Sequence, residues 1–77
     1  MKVPCPRCEQ DWVRRASVKK TGKLIFVCPE CEATWFSEDE IEYATFNYFN
    51  LFMERQGIDP DWSELEILGV VTNKSYS

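Results

Sequence analysis

Seventy-seven residues make one domain, and a chain this short buries a smaller fraction of its surface than a larger one and usually needs a staple. Hydrophobic residues at 44% and aromatics at 14% exclude a disordered tail or low-complexity linker. The net charge of −4 conceals an asymmetry: residues 1–36 carry seven Lys or Arg against four acids, and residues 37–77 carry nine acids against Arg55 and Lys74.

The opening residues "MKVPCPRC" lack the apolar run of a secretory signal, and no window approaches the ~18 apolar residues of a membrane span. The expected compartment is therefore cytoplasmic, where thiols stay reduced and paired cysteines point to metal ahead of disulfides. The pairs are Cys5-Pro6-Arg7-Cys8 and Cys28-Pro29-Glu30-Cys31, with nineteen residues between them. Two thiolates three residues apart chelate one ion from a tight turn, two such turns close a tetrahedron, and the prolines preset φ. A structural Zn²⁺ on Cys5, Cys8, Cys28 and Cys31 is the expected cofactor, ahead of iron.

On these knuckles, residues 4–36 resemble the zinc-ribbon group, with a rubredoxin-like knuckle at each end of a small antiparallel sheet. The resemblance implies fold and metal and carries no function. Knuckles of that group often have Gly after the second cysteine, where this chain has Glu9 and Glu32. Left-handed backbone there would carry strain of about 1 kcal/mol per knuckle, which zinc binding at about 10–16 kcal/mol outweighs.

Between the knuckles, "WVRRASVK" (12–19) reads as a strand with Trp12, Arg14, Ala16 and Val18 on one side. "KTGK" (20–23) reads as a turn, "LIFV" (24–27) as the returning strand and "TWF" (34–36) as a short third strand. Arg14, Arg15, Lys19, Lys20 and Lys23 form a candidate nucleic-acid strip beside Trp12 and Phe26. Solubility and edge protection explain the same charges. A four-thiolate zinc site adds about −2 to an acidic protein, so nucleic acid ranks behind a protein partner.

Ser37 and Glu40 form a capping-box pattern and Gly57 suits the residue after a helix end, which predicts one amphipathic helix from about Glu38 to Gln56. Its apolar positions spread over roughly 220°, wider than the ~100° stripe that one neighbour covers. Three covers are available: the tail, a second copy of the chain, or another protein. In the tail, Asp59-Pro60-Asp61 reads as a cap opening a short helix with Trp62, Leu65 and Leu68 turned inward, and Ile67–Thr72 reads as an edge strand.

The predicted fold is thus a small α+β zinc-binding domain: a three-stranded antiparallel ribbon (1–36), an acidic aromatic helix (37–57) and a packing tail (58–77). With no histidine in the sequence, the commonest general base is missing, and no enzymatic role is expected. The expected function is non-catalytic binding of a basic protein through Glu42, Phe46, Phe49, Glu54, Asp61, Trp62, Glu64 and Glu66. In size and charge the chain resembles the small immunity proteins of bacterial toxin systems, which implies inhibition of a nuclease by filling its cationic cleft. The alternative is a nucleic-acid-associated accessory factor using the hairpin Arg14–Lys23.

Overall fold

The computed structural model describes residues 3–72; residues 1–2 and 73–77, at the outer ends of the predicted ribbon and tail, lie outside them. Five strands form one antiparallel sheet in the order β4-β3-β2-β1-β5: β1 Arg14–Val18, β2 Leu24–Val27, β3 Ala33–Trp35, β4 Asn47–Tyr48 and β5 Leu65–Val70. One α-helix, α1 Phe49–Arg55, is present among the described residues. No described helix is long and apolar enough to cross a membrane.

The ribbon β1-β2-β3 forms as predicted. Arg15 faces Phe26 and Phe26 faces Trp35, while Ala16 faces Ile25 and Val27 faces Thr34. Successive side chains therefore alternate between the two faces. The turn closes through Gly22, whose φ of 73° is the left-handed conformation that favours glycine, and whose N–H donates to the Val18 carbonyl at 2.6 Å.

Both faces of the sheet are covered. On one, Ala16, Val18, Ile25 and Val27 pack with Phe49, Phe52, Met53, Ile58 and Leu65. On the other, Val13, Phe26, Ala33 and Trp35 pack with Cys5, Cys28 and Val71. The metal knuckles thus share a core with the sheet.

The predicted helix over residues 38–56 is corrected to its last two turns. Ser37 does cap, accepting from the Asp39 N–H at 3.3 Å, but it starts only the 3-10 turn Glu38–Glu40; a second follows at Tyr43–Thr45, and Asn47–Tyr48 are extended. Three contacts from distant residues take the backbone away from a helix. Trp35 Nε1 donates to the Glu42 carbonyl at 2.9 Å, Asn47 Nδ2 to the Thr34 carbonyl at 3.2 Å, and the Phe49 N–H to the Glu32 carbonyl at 3.2 Å. The run "YATFNYF", rich in aromatic and β-branched residues with weak helix preference, gives way to them.

The far end of the helix forms as expected. Gly57 has φ 72°, its N–H donates to the Glu54 carbonyl, and the Ile58 N–H donates to the Met53 carbonyl, each at 3.0 Å. That is a Schellman closure, and Met53 and Ile58 both lie in the core.

Beyond it, the cap falls on Asp61, not Asp59: Asp61 Oδ1 accepts from the Ser63 N–H at 2.9 Å and opens only the 3-10 turn Trp62–Glu64. The edge strand is present but starts at Leu65, two residues earlier than predicted. It bulges at Leu68, because Arg15 faces Gly69 while Ala16 faces Ile67. Leu65 is buried as expected, whereas Leu68 is 47% exposed, since the bulge and the strand conformation replace the helical spacing that would have turned it inward.

The first knuckle is sewn into the seam between β1 and β5. The Val13 N–H donates to the Val3 carbonyl, the Val3 N–H to the Val71 carbonyl, and the Val71 N–H back to the Val13 carbonyl, all at 2.8–2.9 Å.

Candidate metal centre

Each knuckle is built the same way. The N–H groups of Arg7 and Cys8 point at Cys5 Sγ at 3.4 and 3.5 Å, and that of Glu30 at Cys28 Sγ at 3.4 Å. The chain then turns back, the Glu9 N–H donating to the Cys5 carbonyl at 2.9 Å and the Glu32 N–H to the Cys28 carbonyl at 2.8 Å. That return requires left-handed backbone, and Glu9 (φ 57°) and Glu32 (φ 64°) adopt it, as their place in the knuckle predicts. Left-handed backbone costs an ordinary residue about 1–2 kcal/mol, and Gly gives back part of that through its freer unfolded chain. Glu9→Gly is expected to raise unfolding free energy by about 0.5–1 kcal/mol, read from the urea midpoint of the metal-loaded protein. No gain would mean that the turn is unstrained.

The knuckles bring Cys5, Cys8, Cys28 and Cys31 together with all four sulfurs within 4.8 Å of one another, and Cys5 lies 3.6 Å from Cys31 and Cys8 3.6 Å from Cys28. Metal–thiolate bonds of about 2.3 Å in a tetrahedron set sulfurs about 3.8 Å apart, so the set fits a four-thiolate metal ion. Cys5 and Cys28 are buried while Cys8 and Cys31 reach the surface.

The thiols differ in acidity. Burial pushes Cys28 and Cys31 up, more than their N–H partners can offset; burial acts on Cys5 too, but the N–H groups of Cys8 and Arg7 and the neighbouring thiols bring it below its ordinary value. A metal ion at the centre would let all four ionise.

The expected partner surface divides into two. Phe49 is buried beneath the sheet, and Trp62 is half-buried against it, ring centroids 5.4 Å apart, with its Nε1 donating to Glu32 Oε2 at 3.3 Å. Phe49 serves the core, which corrects its assignment to a partner surface, whereas Trp62 packs on that core with part of its side chain still exposed. Glu42, Glu54, Asp61 and Glu66 are exposed and Glu64 half-buried.

Phe46 belongs to an aromatic strip, its ring 5.2 Å from Tyr48 and 6.2 Å from Tyr43. Tyr48 and Phe46 line a cleft of about 160 Å³ with Phe36, Leu51 and Arg55. The rim of this strip is cationic. Arg7 lies over Phe46 at 4.5 Å and Lys23 over Phe36 at 5.6 Å. The acidic aromatic face expected from a long helix is absent because the helix that would have joined the two is broken. The acids collect instead at β5: residues 56–72 carry Asp59, Asp61, Glu64 and Glu66 and no Lys or Arg, and Ile67 and Leu68 are exposed among them.

Two members of the basic strip are engaged within the chain. Arg14 pairs with Asp11 at 3.3 Å and donates to the Trp12 carbonyl at 2.6 Å, and Arg15 pairs with Glu38 at 3.7 Å. Lys19, Lys20 and Lys23 are exposed around the turn. The role of Arg7, inside the first knuckle yet packed on residues forty positions away, had no signal in the sequence. Arg55 was visible only as a stray base in an acidic half. Comparison with protein-family models, with curated proteins and with solved structures returned no match.

Proposed function

We propose that the chain is a non-catalytic binding module, stapled by a structural zinc ion on Cys5, Cys8, Cys28 and Cys31, that takes a basic protein partner along β5. The observation that carries this reading is the edge itself. Among the described residues β5 pairs on one side only, with β1; it offers exposed Ile67 and Leu68 beside Glu64 and Glu66, and it has none of the lysines or prolines that usually blunt an edge. An extended basic segment adding to that edge gains main-chain hydrogen bonds, apolar contact and charge complementarity together. The form we favour is an inhibitor, immunity-like in action, whose acids occupy the cationic cleft of a nuclease and exclude its substrate. The absence of histidine and a four-thiolate metal site with no position left for water both support a role without chemistry.

The test is capture by the tagged, zinc-loaded chain in parallel with Glu64→Lys/Glu66→Lys. A basic protein should be retained by the parent and bound at least about tenfold more weakly by the variant, chiefly through slower association at low salt. A partner that ignores this charge reversal would overturn the reading. RNA retained by the parent and lost on reversing Lys19 and Lys20 would assign the function to the hairpin.

A further inference from the structure

The second surface carries a different specificity. We propose that the cleft between β4 and α1 is a docking site for a short acidic peptide segment of a partner protein, anchored by one aromatic or aliphatic side chain. Its volume of about 160 Å³ is close to that of apolar cavities that hold a single benzene ring, about 150 Å³, so it takes one side chain and no more. Phe36, Tyr48 and Leu51 at its mouth are 38%, 49% and 47% exposed, leaving apolar surface that such an anchor would cover.

The charge of the occupant follows from the rim. Arg55 lines the cleft, is exposed, and has no carboxylate or carbonyl partner among the described residues. Arg7 is held in place by its Nη1 hydrogen bond to the Cys31 carbonyl at 3.3 Å and by its stacking on Phe46. Lys23 sits over Phe36, another lining residue. Arg55 in the lining, and Arg7 and Lys23 over two of its rings, put three cations at the cleft in a protein with net charge −4, and a carboxylate beside the anchor would satisfy them by charge-assisted hydrogen bonds.

The same geometry disfavours a nucleic-acid strand. The cleft holds one ring, and exposed Glu42 and Glu54 are the chain neighbours of Tyr43 and Arg55, a repulsion that weighs more on a polyanion than on a short peptide. β4 also lies at the end of the sheet, paired among the described residues with β3 alone, so an extended segment can run along that edge while its anchor enters the cleft. This site is separate from β5 and does not depend on the reading given there. Together they make the chain a two-sided module of opposite local charge.

The experiment is selection of displayed random heptapeptides on the metal-loaded full chain, followed by binding of the enriched sequence as a fluorescein-labelled peptide. Enriched sequences should pair one Phe, Trp or Leu with Asp or Glu. Arg55→Glu and Leu51→Glu, both at exposed positions, should each weaken the peptide about tenfold or more, while Glu66→Lys should leave it within about twofold. Enrichment of basic or uncharged sequences, no enrichment, or affinity unmoved by both cleft substitutions would overturn the proposal. So would a labelled ten-residue oligouridylate that binds the parent and is lost on Arg55→Glu, which would make the cleft an RNA site.

Discussion

Stripping the metal with a strong chelator at neutral pH is expected to unfold the protein in a single transition. Structural four-cysteine sites contribute about 10–16 kcal/mol on binding, and a domain of this size has a total stability within or below the usual 5–15 kcal/mol. The centre is not an appendage to a core that could survive without it. Cys5 and Cys28 lie inside the cluster that holds Val13, Phe26, Trp35 and Val71, so losing the metal leaves polar thiols facing one another within that core. Sheet circular dichroism and near-ultraviolet tryptophan signal should fall together and return on adding zinc, with one zinc per chain by native mass spectrometry. Cys28→Ala should behave as the chelated protein does even with zinc present. A chelated chain that keeps its dispersed amide spectrum would show that the two apolar clusters suffice alone, and a coloured, redox-active preparation would assign iron.

Trp35→Ala is expected to be the most damaging substitution away from the cysteines. The side chain is fully buried, and truncations of this kind cost about 3–5 kcal/mol through lost transfer energy and the cavity left behind. A second effect adds to it, because the Glu42 carbonyl loses its shortest hydrogen bond, from Trp35 Nε1 at 2.9 Å, and keeps the longer ones from the Thr45 hydroxyl and N–H at 3.3 Å. Trp35→Phe separates the two by keeping most of the ring and removing the N–H, with an expected cost of about 1–2 kcal/mol. Urea unfolding gives the energies. Hydrogen exchange should localise the effect of Trp35→Phe to residues 38–45, which this contact holds in two 3-10 turns. A cost below about 1 kcal/mol for Trp35→Ala would show that the segment is supported elsewhere.

Trp35 also marks the boundary of what the sequence made legible. The knuckles, the hairpin and even the left-handed backbone at Glu9 and Glu32 could be read because each is dictated within a few residues, by cysteine spacing, by a Gly-containing turn or by the geometry of a two-thiolate loop. The helix could not. Ile41, Ala44, Tyr48, Phe49, Phe52 and Met53 fit helical spacing, and Ser37 is a genuine cap, but Trp35, Thr34 and Glu32 contribute the contacts that divert residues 41–48 into turns and a strand. Those partners lie seven to seventeen positions away, beyond the reach of periodicity. The 220° spread of apolar positions was the one warning, being too wide for a helix on a single neighbour. The single acidic, aromatic helix face was illegible for the same reason: with the helix broken, Phe49 turns into the core and the aromatic residues part from the acids.

The seam at Val3, Val13 and Val71 bears on the order in which the chain can assemble. β1, β2 and β3 are joined by short turns and can pair as soon as they leave the ribosome, and both knuckles are complete by Cys31. β5 must find β1 across some fifty residues, a closure that is slow because its entropy is lost before any contact compensates. Val3 is bonded to Val13 and Val71, the residues next to β1 and β5, so the first residues described are locked only when nearly the last ones arrive. A nascent chain can thus collect its metal early and still hold its N-terminal segment unfastened until synthesis passes Val71, with the edge proposed to meet a partner being the last part of the sheet to exist.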